Sequence, residues 1–379
     1  LYLESLSLFA FRNLEPCTLA FSPGVNAFFG ENGAGKTNLL EAIHYLSTTR
    51  GFYGPRDQES LQFGEYGFTV TGKFIEGPEK KQVLIKCSYA TGKGKRLIVD
   101  EVPLNRLSEH IGRFPVVTFL PDDIALIREG NSGFRKWLDL LLCQLHESYL
   151  KTLIQYENAL EKRNRLLKIA NEGKKVESAE FEPYSWILAK EGIKIQKTRL
   201  DFLSAFQNDF REGYRQVSNN AEQPEIEYFP NLAIENEGDR FRSITSLLPR
   251  ELAAGRSLSG EHRDEFNFIL AGKEVKKFAS QGQEKTYVLA LKLATVDYFK
   301  NKNGTYPLFL LDDLFDRLDP NRSKALADWI SDRIELQAFL THTESTMLNQ
   351  VFFDTKIKKE VKYFHVLRGN IADSGYIEK

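Results

Sequence analysis

Gly30-Glu31-Asn32-Gly33-Ala34-Gly35-Lys36-Thr37 fits G-x-x-x-x-G-K-[ST] at every fixed position. Upstream, Val25-Asn26-Ala27-Phe28-Phe29 predicts a buried strand. Downstream, Asn38-Leu39-Leu40-Glu41-Ala42-Ile43 opens an amphipathic helix, so the run has the strand, loop and helix order of a phosphate-binding loop. The glycines let backbone N–H groups from Gly30 to Asn38 wrap phosphates at the positive end of the helix. Lys36 supplies the point charge for the β and γ phosphates, and the Thr37 hydroxyl is a hard ligand for Mg²⁺. A glycine-rich turn before a helix could carry part of this pattern, but not all of it in this context. The reading is ATP or GTP binding.

Composition frames what surrounds the loop. The chain has 379 residues, 42% of them hydrophobic, enough for a large core and for more than one domain or one domain with a sizeable insertion. No apolar run has the length of a bilayer span and the N-terminus lacks the order of a signal peptide, so a cytoplasmic protein without membrane attachment is expected. Leu1 opens the chain and Met347 is its one methionine, so an initiator is expected ahead of the numbered residues. Cys17, Cys87 and Cys143 are far apart and form no C-x-x-C pair, which predicts small apolar side chains in a reducing compartment and implies no zinc site. The formal net charge is −1, so any basic surface is local.

The C-terminal third narrows the kind of machine. Tyr306-Pro307-Leu308-Phe309-Leu310-Leu311-Asp312-Asp313 is an apolar run ending in two carboxylates, as a buried parallel strand would deliver them at its carboxyl end. It is similar to the Walker B strand of ATP-binding-cassette ATPases, which implies Asp312 in the Mg²⁺ shell. Asp313, where those ATPases usually carry Glu, would orient the attacking water. About two dozen residues earlier, Ala279-Ser280-Gln281-Gly282-Gln283 stands where the cassette signature Leu-Ser-Gly-Gly-Gln belongs and departs at its first and third places. Ser280 can cap the helix that follows and Gly282 lets backbone approach a phosphate. Leu318-Asp319 matches the D-loop, and His342 in Phe339-Leu340-Thr341-His342-Thr343 matches the switch loop near the γ-phosphate. Each alone has a bland reading as a helix start, a polar strand end or a structural histidine. Their order gives them weight.

About 270 residues separate the phosphate loop from Asp312, far more than a transporter ATPase carries. With Phe11-Arg12-Asn13-Leu14, Gly112-Arg113-Phe114-Pro115-Val116-Val117, Pro121-Asp122-Asp123, Tyr156 with Arg163-Asn164-Arg165-Leu166-Leu167, Gly260-Glu261-His262-Arg263-Asp264 and the tail Phe364 to Val366, the chain resembles the RecF family over nearly its whole length. That family is related to the head domains of structural-maintenance-of-chromosomes proteins. Gly130-Asn131-Ser132-Gly133-Phe134-Arg135-Lys136 departs from it, lacking a proline and paired arginines. The resemblance implies a weak DNA-stimulated ATPase whose ATP-bound homodimer holds duplex DNA beside single-strand gaps and, with RecO and RecR, promotes RecA loading. It also implies that Arg12 contacts the nucleotide, and that Ser280, Gly282, Gln283 and Asp319 complete the site between two copies.

Leu153, Tyr156, Leu160, Arg163 and Leu167 recur at helical steps, as do Leu203, Phe206, Phe210, Tyr214 and Val217, which predicts two helices of ordinary length. The charged stretch Ala170 to Pro183 between them predicts a hairpin tip. Phe68 to Phe74 and Gln82 to Cys87 alternate as strands. The expected architecture is therefore α/β: a P-loop cassette-type ATPase lobe built from both chain ends, 1–119 and 251–379, with an inserted helical lobe over 120–250.

For DNA, Thr91-Gly92-Lys93-Gly94-Lys95-Arg96 reads as a basic hairpin tip, with Lys73, Lys80, Lys81, Arg50, Arg56 and Arg106 in the same lobe. Such tips are as often solvated edges. No sequence-reading helix and no aromatic single-strand platform is evident, so contact with backbone and shape is expected. Other classes stay open: a transporter ATPase subunit, another DNA-processing cassette ATPase, or a clamp that binds ATP without turnover. A nuclease of the overcoming-lysogenization type would need a further acidic domain after the ATPase and is not expected here.

Overall fold

The structure, a computed structural model, describes the chain except for residues 53–55, 219–221, 316–317, 353–354, 356–360 and 377–379 and the side chains of 347–349. Two compact units emerge. One comprises Leu1–Asp123, Glu212–Ala221 and Lys285–Lys379, the other Ile124–Arg211 and Glu222–Glu284.

The first unit holds two six-stranded sheets. One is antiparallel, in the order β2-β1-β4-β5-β6-β7, from β1 (Tyr2–Phe9), β2 (Cys17–Ala20), β4 (Gly67–Glu76), β5 (Lys81–Ala90), β6 (Gly94–Val99) and β7 (Val102–Pro103). Its strands alternate as the sequence predicts: Phe68, Val70, Gly72, Phe74, Val83, Ile85 and Cys87 are buried, and Thr69, Thr71, Lys73, Leu84 and Lys86 between them face outward. The other sheet runs β15-β14-β3-β13-β12-β8, from β3 (Val25–Phe29), β8 (Val116–Phe119), β12 (Leu308–Leu311), β13 (Ala338–His342), β14 (Lys362–Leu367) and β15 (Asn370–Tyr376). All its neighbours are parallel except the edge strand β15. β12 and β13 are buried at every position, as strands covered on both faces must be.

Residues from both chain ends share one core. Phe21 meets Phe339 edge-on at 5.0 Å and Phe28 lies 5.3 Å from Phe364. Gln337 bonds both backbone groups of Leu3 (2.7 and 2.8 Å) and the Ser22 carbonyl (2.8 Å), tying the two sheets through a buried amide.

The second unit is mainly helical, with a three-stranded antiparallel sheet β11-β10-β9 from β9 (Pro224–Phe229), β10 (Glu265–Leu270) and β11 (Lys273–Glu274). Its core is unusually ionic. Arg163, Arg199 and Arg240 are fully buried. Arg163 bonds Glu251 (2.5 Å), Ser257 (2.8 Å) and Ser185 (3.1 Å); Arg199 bonds Asp264 (2.6 Å), Asp139 (2.7 Å) and the Glu261 carbonyl (3.0 Å); Arg240 pairs with Glu261. Burial at this depth is tolerable only because each guanidinium is met by a carboxylate together with hydroxyl or carbonyl oxygens.

The structure departs from the sequence reading in two places. The two helices span Glu147–Asn171 and Glu182–Val217, 25 and 36 residues, longer than expected, with the turn inside the charged tip. Where the sequence suggests divisions after 119 and 250, the compact units divide after Asp123 and Glu284. The second difference arises because β10 and β11 pair with β9, which keeps residues 251–284 with the helical unit.

Candidate nucleotide site

The phosphate loop leaves β3 at Gly30, whose N–H donates to the His342 carbonyl of β13 (3.3 Å). Gly30 has φ 152°, and a Cβ there would lie 2.1 Å from the Val366 carbonyl oxygen of β14. Gly35, with φ 118°, is the N-cap of the helix Lys36–Thr48, and a Cβ there would lie 2.7 Å from Leu14. No other residue type fits either position. The loop is braced by Gly369 N–H on the Ala34 carbonyl (2.8 Å) and by Asn13, which donates to the Gly33 carbonyl (3.3 Å) and accepts from Asn38 Nδ2 (2.7 Å). Glu31, Asn32 and Gly33 are exposed at its crest. Lys36 is buried, its Nζ donating to the Gly30 (2.8 Å) and Glu31 (3.1 Å) carbonyls, so the cation is held inside the loop's curve.

Asp312 follows β12, and its buried carboxylate accepts from Thr37 Oγ1 (3.0 and 2.9 Å to the two oxygens). Thr341 Oγ1 lies 2.7 Å from Asp312 Oδ1 and 3.3 Å from Asp313 Oδ1, and it accepts the Asp313 N–H at 2.8 Å. A hydroxyl has one proton, so the shorter contact takes it and Thr341 holds both acids in place. Asp313 has φ 43°, a left-handed conformation that Asp tolerates at small cost. Burial raises the Asp312 pKa above the ordinary carboxylate range; hydrogen bonds from Thr341 and Thr37 and the charge of Lys36 oppose that shift, and the charge of Asp313 adds to it. A carboxylate and a hydroxyl, both hard oxygen donors, already converge here, which fits Mg²⁺.

The remaining expected residues are distributed as follows. His342 is buried at the end of β13, with its Nδ1 2.9 Å from the Glu344 backbone nitrogen and 3.0 Å from the Glu344 carbonyl oxygen, so Glu344 holds the ring through that nitrogen. Asp319 caps the helix Pro320–Ser331, accepting from the N–H groups of Asn321 and Arg322 (both 3.1 Å). Against a burial effect of opposite sign, the Arg322 hydrogen bonds hold its carboxyl below the usual range. Arg12, assigned to the nucleotide by resemblance, forms a bidentate pair with Glu41 (2.9 and 2.7 Å) and so grips the loop's own helix. Ser280, Gly282 and Gln283 belong to the second compact unit. Ser280 Oγ accepts the Gln283 N–H (3.3 Å) and Gln283 Oε1 accepts the Ser280 N–H (2.8 Å), a reciprocal cap on the helix Gln281–Asn303. Thr341 is the site residue that motif reading passes over, although it stands one place before His342 in a quoted run.

The chain is similar to known proteins over nearly its whole length. A family model described as an AAA domain matches residues 5–362. The DNA replication and repair protein RecF of Cytophaga hutchinsonii is 34% identical over 99% of this chain and 97% of its own length. RecF of Phocaeicola vulgatus is likewise 34% identical, over 98% of each. A solved structure of the recombination mediator protein RecF with ATP in the RecFOR pathway superposes with TM-score 0.86 at 31% identity, covering 98% of this chain and 97% of that one. An Smc head bound to the C-winged helix domain of ScpA, TM-score 0.57 at 15% identity, shares the fold.

Proposed function

This chain belongs to the RecF family of DNA replication and repair proteins, P-loop ATPases that bind ATP, and from that premise we propose that it is an ATP-gated homodimeric clamp on DNA. The observation that carries the proposal is the convergence of Thr37 and Asp312 on one another beside the Lys36 loop. Thr37 and Asp312 would hold Mg²⁺, which when bound neutralises charge on the β and γ phosphates. The Lys36 ammonium transfers from the Gly30 and Glu31 carbonyls to phosphate oxygens. Backbone N–H groups from Gly30 to Asn38 line the phosphates at the helix N-terminus. Asp313, held by Thr341, orients the attacking water and takes its proton. In this reading the His342 ring carries its proton on Nε2 and donates it to the γ-phosphate.

Ser280, Gly282 and Gln283 act from the second copy of the chain. Ser280 is exposed and the helix behind it is already capped, so the helix start is preorganised to close over the γ-phosphate of the facing subunit. Asp319 belongs to the same subunit interface. Loss of the γ-phosphate removes the differential contact that favours the closed dimer, so slow hydrolysis, stimulated by DNA, resets the clamp. The closed dimer holds duplex DNA beside single-strand gaps through backbone contacts, in the cytoplasm at the nucleoid. With RecR and RecO it promotes RecA loading.

Sedimentation velocity with ATP, with ADP and with gapped duplex tests this reading. A dimer with ATP that persists on gapped duplex, and a monomer with ADP, is expected. A monomer in every nucleotide state would overturn the proposal.

A further inference from the structure

The outer face of the antiparallel sheet in the first unit carries a row of side chains that nucleotide binding does not use. Register places Phe9 beside Thr69, Thr69 beside Ser88 and Ser88 beside Arg96, across β1, β4, β5 and β6. The next row on the same face runs Ser7, Thr71 and Lys86. Phe9 is 55% exposed, and Tyr66, just ahead of β4, is 81% exposed. With Lys93 of the β5–β6 turn they line a hollow of about 450 Å³ in which Glu65 is the one carboxylate. Lys86, Lys93 and Arg96 have no carboxylate partner among the described residues.

The platform is stiff. Beneath it Phe68, Val70, Cys87 and Leu97 are buried. The segment bearing Tyr66 is pinned at both ends, by Gln62 N–H on the Ala10 carbonyl (3.0 Å) and by Thr91 N–H on the Tyr66 carbonyl (2.8 Å). The backbone that carries the two large exposed rings is thus ordered before any partner arrives, which favours binding.

We propose that this face seats unpaired nucleotides of single-stranded DNA, the bases stacking on Phe9 and Tyr66 and the phosphates lying along Lys86, Lys93 and Arg96. The row Phe9, Thr69, Ser88 and Arg96 runs from a ring through two hydroxyls to a cation, with Tyr66 and Lys93 on the same hollow, which suits a strand with bases on one side and phosphates on the other. A protein-docking patch would instead gather its apolar residues at a centre and its charges at a rim. Duplex bases hide their faces in the stack, so the rings discriminate for unpaired nucleotides. The inference rests on the DNA-clamp reading for its biological setting and gives that clamp a means of telling a gap from continuous duplex.

The test is fluorescence anisotropy with three probes, a dT oligonucleotide, a blunt duplex and the same duplex interrupted by a dT gap, each with ATP. For Phe9→Ser/Tyr66→Ser, affinity for dT and for gapped duplex falls by roughly tenfold or more while blunt-duplex affinity stays within about twofold. Arg96→Ala weakens dT binding and lowers its salt slope by about one. Equal losses on all three probes, or none on dT, would overturn the seat and leave the rings to a protein partner or to plain surface. A parent that binds dT but neither duplex contradicts the clamp alone; a parent that does not bind dT contradicts the seat. Should the double variant fold poorly, photocrosslinking the parent to 5-iodouracil in the gap decides the matter, with adducts on Phe9 or Tyr66 expected and adducts confined elsewhere contradicting the proposal.

Discussion

Thr37 Oγ1 lies 3.0 and 2.9 Å from the two carboxylate oxygens of Asp312, a residue 275 positions later in the chain. Thr37 lies in the first turn of the helix after β3 and Asp312 follows β12, and β13 lies between those strands, paired to both. The contact therefore exists only once the parallel sheet has assembled. It also leaves a carboxylate buried with hydroxyl partners and a lysine nearby instead of a counter-ion in direct contact, which is why burial dominates its ionisation.

That relationship sets a pH dependence. A carboxyl whose folded pKa stands above its unfolded one gives full stability below the unfolded value, and that stability is lost as pH rises until the folded carboxyl ionises. Asp312→Asn removes the titration and keeps an acceptor for Thr341 and a donor for Thr37. Urea unfolding of the nucleotide-free protein is expected to show the variant more stable than the parent at about pH 8, with the gain shrinking toward about pH 4. Equal stability throughout would contradict the burial account. With ATP and Mg²⁺ present the order reverses, because the variant has lost a metal ligand.

Thr341 acts through other residues, so its replacement separates positioning from binding. Thr341→Val keeps the shape of the side chain and removes the hydroxyl that holds Asp312 and Asp313. Steady-state kinetics should show kcat down on the order of 100-fold with KM for ATP changed far less, and Thr341→Ser should recover most of the loss. Parent-like turnover in the valine variant would remove Thr341 from the mechanism.

The second unit offers a different test. Glu251→Ala strips Arg163 of its buried carboxylate, and loss of about 3–5 kcal/mol from denaturant unfolding is expected. Combining it with Arg163→Met removes the stranded charge and should restore a large part of that stability. A double variant no better than the single one would mean that the arginine's bonds to Ser185 and Ser257 matter more than its charge.

These residues also mark where sequence reading succeeds and where it stops. The phosphate loop and Asp312-Asp313 are legible because each joins a fixed local pattern to a strand ending where the chemistry requires it. Arg163 falls on the apolar period of its helix, yet its burial against Glu251 depends on a partner 88 positions away that periodicity cannot supply. Thr341 looks like any β-branched strand residue until β13 is set beside β12. Exposed Phe9 and Tyr66 resemble core residues in a list of letters, and only the strand register of Phe9 and the exposure of Tyr66 in the folded chain show them on the surface. Residues 251–284 group with the helical unit through β9, a pairing between strands about 40 residues apart.

The most direct test of the composite site mixes two inactive variants. Lys36→Ala loses the phosphate cation and keeps Ser280; Ser280→Arg keeps its own loop, binds ATP as a monomer, and blocks closure over a partner's nucleotide. Each alone should neither dimerise with ATP nor hydrolyse it. In the mixture one interface pairs an intact loop with an intact signature, and ATPase activity is expected to return to a substantial fraction of one site per heterodimer. A mixture that stays inactive although heterodimers demonstrably form with ATP would contradict a site shared between two copies and leave Ser280 as a helix cap.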